Sequence, residues 1–170
     1  MTLTILEKVS LQPYNSLALP AESEYFCSVD NRADLLTTLD FARSRDIAVT
    51  PLGGGSNIVL AGDVAGLVLL VDLKGVSHRR AKGTVEVSFA AGENWHDQVQ
   101  QCLQQGWYGL ENLSLIPGNM GAAAIQNIGA YGVELADLFV SLTAIDKLSG
   151  EQLEFDKAAC EFGYRDSLFK

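Results

Sequence analysis

The feature that most constrains the fold is a run of three glycines directly after residues 47–52, whose apolar pattern predicts a buried strand. Glycine adopts positive φ angles and has no Cβ, so a ligand can approach the backbone of residues 53–55 closely. Consecutive N–H groups in such a turn can form a nest for an anion, and Ser56 and Asn57 add polar side chains. The spacing matches neither a Walker loop nor Gly-x-Gly-x-x-Gly. A flexible turn without a ligand is the alternative.

The segments around this turn predict a strand, a helix and further strands. Residues 25–29, 47–52 and 67–71 have strand patterns, and an apolar stripe of helical spacing runs from Leu35 to about Arg45 after the capping pair Asp30-Asn31. Such alternation predicts a right-handed crossover and parallel pairing. We expect residues 1–71 to form a first lobe.

Residues 72–170 predict a second lobe. Two strands, 76–80 and 84–90, join at Lys82-Gly83, and Asn94 caps a helix to about residue 105, where Gly106 suits the C′ position. Residues 139–146 and 152–155 predict a hairpin that turns at 149–150, before a last helical turn near Asp156. The fold class is therefore α/β (α+β).

A second glycine-rich segment, residues 115–132, contains a run of three alanines. Small side chains suit a planar cofactor that lies against the backbone, and Gly121 could open a helix N-terminus towards a phosphate. Gln126 and Asn127 add amide donors and acceptors. Close packing of a helix on a strand, without a ligand, remains the alternative.

A third segment, residues 162–167, contains Tyr164 and Arg165. A guanidinium can hold a carboxylate through two hydrogen bonds, and an adjacent phenol can orient it. A surface ion pair between Arg165 and Asp166 is the alternative.

Composition excludes several classes of function. The formal net charge is -9 and the basic residues form no cluster beyond Arg79-Arg80, so we expect no nucleic-acid partner. No apolar run approaches the ~20 residues that span a bilayer, and residues 1–11 do not resemble a signal peptide, so we expect a cytoplasmic protein.

Neither His78 nor His96 has a partner at metal-ligand spacing, so we expect no metal site. An odd number of distant cysteines argues against a disulfide framework: Cys27, Cys102 and Cys160.

Four motifs occur in one order along the chain: Gly-Gly-Gly-Ser-Asn, Gly-Leu-Glu-Asn-Leu with Ile-Pro-Gly, Gln-Asn-Ile-Gly-Ala-Tyr-Gly, and Gly-Tyr-Arg-Asp-Ser. From residue 14 to residue 170 the chain resembles the UDP-N-acetylenolpyruvoylglucosamine reductase family. The resemblance implies a two-lobed FAD-binding fold of the vanillyl-alcohol-oxidase type. It also implies a separate substrate-binding domain, which would follow the last residue of this sequence.

The resemblance also implies roles for individual residues. Arg165 would be catalytic and Tyr164 would bind substrate, while residues 53–57 would hold the FAD pyrophosphate. The implied cofactor-binding residues are Gly53, Gly54, Gly55, Ser56, Asn57, Ile116, Pro117, Gly118, Gly121, Ala122, Ala123, Ile125, Gly129 and Tyr131. Some members carry serines at positions 122–124, which leaves open whether side chains there bond to FAD.

The implied reaction belongs to peptidoglycan synthesis, and hence to cell-wall formation, cell shape and cell division. Hydride passes from NADPH through FAD to the enolpyruvyl double bond of UDP-N-acetylenolpyruvoylglucosamine, giving UDP-N-acetylmuramate. Arg165 would stabilise the charge that develops on the substrate carboxylate. The family's proton-donating serine and its acidic partner lie beyond residue 170, and Ser167 is a different serine.

We expect a fragment of the reductase, because Leu168 and Phe169 resemble the start of an apolar strand. Such a fragment would have no turnover, because acid catalysis and substrate orientation are absent from it. A stand-alone flavin-binding or interaction module is one alternative. Another oxidase on the same scaffold is a second, although no His or Cys lies in the glycine-rich segments to tether a flavin. The sequence makes no prediction about protein partners.

Overall fold

The structure, a computed structural model, describes residues 3–170. The strands are β1 (Leu6–Ser10), β2 (Glu22–Val29), β3 (Val49–Leu52), β4 (Val64–Val71), β5 (Val76–Ala81), β6 (Thr84–Phe89), β7 (Gly129–Ala130), β8 (Val133–Glu134), β9 (Ser141–Ile145) and β10 (Gln152–Asp156). The α-helices are α1 (Arg32–Ser44), α2 (Trp95–Gln104), α3 (Met120–Ala123) and α4 (Leu135–Leu138), and short 3-10 turns span Gln12–Tyr14 and Glu111–Leu113.

A mixed four-stranded sheet organises the first part of the chain, in the order β1-β2-β4-β3. Strand β4 pairs in parallel with both β2 and β3, so the predicted parallel pairing is confirmed. The two strands that flank α1 are not neighbours, because β4 lies between them. Strand β1 adds an antiparallel edge that the sequence patterns did not predict.

Helix α1 packs on one face of this sheet. Asn31 caps the helix by accepting a hydrogen bond from the Asp34 N–H at 2.9 Å, as predicted. The buried stripe of the helix meets apolar side chains of β2 and β4 in one core cluster: Cys27, Val29, Leu35, Leu39, Ala42, Leu67 and Leu69. A second cluster, which includes Phe26, Leu52 and Val68, contains other side chains of β2, β3 and β4.

Helix α2 organises a third core cluster. Asn94 caps it through the Asp97 N–H, and Gly106 follows its end with φ +72, so both predicted boundaries are confirmed. The cluster joins the helix to the second glycine-rich segment: Trp95, Val99, Leu113, Ala123 and Ile128. The predicted hairpins are also present, as the antiparallel pairs β5–β6 and β9–β10.

The hairpin β9–β10 returns to the first part of the chain. Its turn contacts α1, because the Arg43 Nη1 donates to the Leu148 carbonyl at 2.8 Å. Ile145 of β9 packs against the α1 core cluster. All four strands of the mixed sheet precede residue 72, and the division into lobes at that point stays a prediction.

Candidate functional site

The first glycine-rich turn, residues 53–57, follows β3 and lies against the second glycine-rich segment. A methyl group at Gly54 would lie 2.9 Å from Asn119 Oδ1 and 3.2 Å from the Gly118 Cα. A methyl group at Gly118 would lie 3.1 Å from Ser56 Oγ. The fold therefore brings two of the predicted site segments into contact, across about sixty residues of chain.

The other side of this turn is held by the loop before β2. Gly55 has φ +64, and a methyl group there would lie 2.0 Å from the Tyr14 carbonyl oxygen. The Ser16 N–H donates to the Gly55 carbonyl at 3.1 Å. The buried side chain of Asn15 shapes that loop by donating to the Leu11 carbonyl at 2.8 Å. Glycine is required at position 55 by both its backbone conformation and this close approach.

The turn presents unused hydrogen-bond donors. Within residues 3–170, the backbone N–H groups of residues 54–57 donate to no protein acceptor, and neither do the side chains of Ser56 and Asn57. Successive free N–H groups in a turn form a concave site for an anion. The set of free donors therefore fits a diphosphate group such as that of FAD.

The second glycine-rich segment is held by pairing with the residues just before α2. Three backbone hydrogen bonds connect them: Trp95 N to Gly118 O at 2.9 Å, Met120 N to Glu93 O at 2.8 Å, and Gly121 N to Ala91 O at 2.9 Å. A methyl group at Gly121 would lie 2.6 Å from the Ala91 Cβ. The Gly121 N–H already donates to the Ala91 carbonyl, so this group is not free to bind a phosphate. Close packing accounts for a glycine at this position, and its contact to the cofactor stays a prediction.

The remaining predicted cofactor residues differ in accessibility. Ala123 is 4% exposed and packs in the α2 core cluster, so a contact to a cofactor through its methyl group does not fit this burial. Tyr131 is 88% exposed. The others are exposed or half-buried: Ile116, Pro117, Gly118, Ala122, Ile125 and Gly129. Their cofactor contacts stay predictions.

Tyr164 and Arg165 form the tip of a tight turn. Gly163 and Asp166 exchange backbone hydrogen bonds of 3.0 and 3.2 Å, and Arg165 has φ +54. Tyr164 is 86% exposed. The ion pairs found in the described part of the chain do not join Arg165 to Asp166. The guanidinium is therefore available to a ligand.

The sequence did not predict the structural roles of two polar side chains. His96 is half-buried, and its Nδ1 accepts the Leu115 N–H at 3.1 Å, where the second glycine-rich segment begins. Asn127 is buried and makes side-chain hydrogen bonds to separate elements of the chain. The signal for Asn127 is an amide inside an apolar and glycine-rich stretch.

All three cysteines are free thiols and are buried. Burial raises the pKa of each thiol, so none is activated: Cys27, Cys102 and Cys160. Among residues 3–170, no three metal-ligating side chains come together at a possible metal site. Over the same residues, no helix has the length and apolar character needed to cross a membrane.

Comparisons with known proteins agree with this geometry. The FAD binding domain family matches residues 23–156. A UDP-N-acetylenolpyruvoylglucosamine reductase from Chromobacterium violaceum is 49% identical over 173 residues, covering 100% of this chain and 50% of the relative. The chain spans about half the length of the curated relatives it matches.

Solved structures show the same fold. The crystal structure of the corresponding reductase from Thermus caldophilus has a TM-score of 0.75 at 23% identity, over 98% of this chain and 57% of the other. A VAO-type flavoprotein from Myceliophthora thermophila has a TM-score of 0.57 at 17% identity, over 78% and 26% of the two chains. The predicted fold, family resemblance and FAD cofactor are thus confirmed. The chain belongs to the FAD binding domain family, and the relatives it matches there are UDP-N-acetylenolpyruvoylglucosamine reductases.

Proposed function

We propose that this chain is the FAD-binding portion of an NADPH-dependent reductase. The reductase converts UDP-N-acetylenolpyruvoylglucosamine to UDP-N-acetylmuramate for peptidoglycan synthesis in the cytoplasm. The observation that carries the proposal is the contact between the two glycine-rich segments, which leaves a run of free N–H groups beside Gly118 and Asn119. We further propose that residues 1–71 and 72–170 are the two lobes of this portion.

Each part of the site has a role in the proposal. The N–H groups of residues 54–57 bind the diphosphate of FAD, and the Ser56 and Asn57 side chains add hydrogen bonds. FAD, when bound, supplies hydride transfer between the nicotinamide nucleotide and the substrate. The Arg165 guanidinium holds the substrate carboxylate and stabilises the charge that develops on it. Tyr164 orients the same group from the neighbouring position of the turn.

The chain on its own is proposed to have no turnover. Completing the product requires a proton, and a proton donor must reach the reacting carbon. Ser167 is a poor candidate because its hydroxyl is buried and donates to the Ile125 carbonyl at 2.8 Å. Sustained oxidation of NADPH by the chain with FAD and UDP-N-acetylenolpyruvoylglucosamine would refute this part.

The decisive experiment is an absorbance spectrum of the purified chain after FAD is added and the excess removed. We expect flavin bands at ~370 and ~450 nm to stay with the protein. Gly54→Ala places a methyl group against Asn119 and Gly118, so we expect FAD affinity to fall about tenfold or more. Gly62→Ala is the matched control, because no atom lies within 4 Å of its added methyl group.

FAD uptake by the parent chain and the two variants distinguishes the proposed site from a site elsewhere. Uptake by the parent and by Gly62→Ala, with weakened uptake by Gly54→Ala, supports the proposed site. Equal uptake by all three proteins would mean that FAD binds elsewhere. A parent chain that takes up no FAD would refute the proposal that these residues suffice to bind the cofactor.

A further inference from the structure

We propose that Asn127 is the positioning residue that holds the Tyr164-Arg165 turn against the second glycine-rich segment. The functional meaning of this role rests on the function proposed above, in which the turn presents Arg165 to the substrate.

The side chain of Asn127 is fully engaged. It is 1% exposed, and its Nδ2 donates to Glu134 Oε2 at 2.8 Å and to the Gly163 carbonyl at 2.9 Å. Its Oδ1 accepts the Ala136 N–H at 3.0 Å. Both amide hydrogens therefore have acceptors. The opposite amide orientation would place an oxygen against a carboxylate and a carbonyl, so the partners define the orientation.

The backbone of Asn127 also suits this role. Its φ is +42, in the left-handed region, where asparagine is far more common than a branched residue. The acceptor Glu134 is itself held in a reciprocal capping arrangement with Asp137 at the start of α4. One bond of Asn127 is thus made to a fixed carboxylate, which strengthens it.

The bond to Gly163 joins Asn127 to the turn across 36 residues of sequence. Gly163 is the first residue of the turn, and its carbonyl also accepts the Asp166 N–H at 3.2 Å. Fixing this carbonyl therefore fixes the base from which Tyr164 and Arg165 project. Asn127 acts on Arg165 through Gly163 and is not itself a catalytic residue.

A second attachment holds the other side of the turn. The Ser167 Oγ donates to the Ile125 carbonyl at 2.8 Å and accepts the Phe169 N–H at 3.1 Å. Both ends of the turn are thereby bound to residues 125–127. Any displacement of this part of the glycine-rich segment is transmitted to the turn, which couples the cofactor segment to Arg165.

The test is amide hydrogen exchange of the chain without FAD, followed by NMR at the Gly163 and Asp166 N–H groups. Asn127→Asp keeps the acceptor for Ala136 and loses both donors. Asn127→Gly tolerates the left-handed φ and removes the side chain without adding a buried charge. With either variant, we expect exchange in the turn to accelerate about tenfold or more relative to amides of β4. The control Asn112→Asp adds the same charge at an exposed position and should leave the turn unchanged.

A double variant that exchanges the hydrogen-bond donor and acceptor at positions 127 and 134 distinguishes a positioning role of Asn127 from a general loss of stability. In the double variant with Asn127→Asp and Glu134→Gln, the bond between positions 127 and 134 can reform with its donor and acceptor exchanged. The Gly163 carbonyl still lacks its donor, so we expect turn exchange to stay fast. Restored protection in this double variant would overturn the inference. So would parent-like turn protection in Asn127→Gly, or a parent turn that shows no protection. Because FAD is absent throughout, none of these results depends on whether the proposed cofactor site is correct.

Discussion

Gly121→Ala tests whether packing or phosphate binding explains this glycine. The added methyl group would lie 2.6 Å from the Ala91 Cβ and 3.1 Å from both the Ala91 Cα and its carbonyl oxygen. Real carbon atoms do not approach so closely, and Ala91 belongs to the segment that pairs with Gly121 by a backbone hydrogen bond. The paired segments must therefore move apart.

The magnitude follows from two opposed terms. Overpacking of this kind costs about 1–3 kcal/mol. Alanine recovers about 0.5–1 kcal/mol, because it has less backbone freedom to lose on folding than glycine and no positive φ is required here. The two terms leave a net loss between about 0 and 2.5 kcal/mol. A contact of 2.6 Å lies towards the severe end of overpacking, so we expect a net loss of about 1–2 kcal/mol in the free energy of unfolding. For a domain of this size that lowers the melting temperature by about 2–8 °C.

The assay is thermal and urea unfolding of the chain without FAD, with Gly62→Ala as the control for a generic glycine replacement. The double variant Ala91→Gly with Gly121→Ala removes the closest contact, so we expect a favourable coupling of about 1 kcal/mol or more. Recovery stays partial because the Ala91 backbone remains 3.1 Å away. An unchanged stability in Gly121→Ala, together with weakened FAD binding, would refute the packing argument and favour a phosphate contact.

Two further predictions concern other parts of the chain. The Trp95 Nε1 donates to the Leu113 carbonyl at 2.7 Å inside the α2 core cluster. Trp95→Phe leaves that carbonyl unpaired and should cost about 1–3 kcal/mol in urea unfolding, whereas an unchanged midpoint would contradict the importance of the bond. Hydrogen bonds from the backbone and side chain of Ser149 hold the pKa of Asp146 below its usual range. The carboxylate thus stabilises its turn above pH ~4 and ceases to do so as pH falls through the lowered pKa. Amide exchange at Ser149, corrected for the intrinsic rate, should accelerate in that range, and Asp146→Asn should abolish the pH dependence.

Features set by neighbours within a few residues were predicted well from the sequence. Asn31 and Asn94 cap their helices, and Gly106 follows α2 in a left-handed conformation. The turn of β5–β6 contains Lys82 and Gly83, both with positive φ. In each case the chemistry that determines the structure lies within one turn of the chain, so a local pattern suffices.

Features that depend on distant residues were not predicted. The place of β4 between β2 and β3 is decided by how the whole sheet packs. Strand β1 is an exposed edge with no apolar alternation, and Lys8 interrupts it with φ +52. The role of Gly121 depends on Ala91, thirty residues earlier, and no local pattern shows that contact.

The contact between the β9–β10 hairpin and α1 has a consequence for synthesis on the ribosome. The mixed sheet and α1 are complete once residue 71 has emerged, yet Ile145 packs against their core, and Arg43 finds its partner 105 residues later. At the usual translation rate of 5–20 residues per second, this surface stays uncovered for about 4–15 s. During that interval the part of the α1 core cluster that Ile145 later covers stays exposed, and transiently exposed apolar surface favours aggregation. Expression yield should therefore depend on chaperones that bind the first part of the chain before the hairpin closes over it.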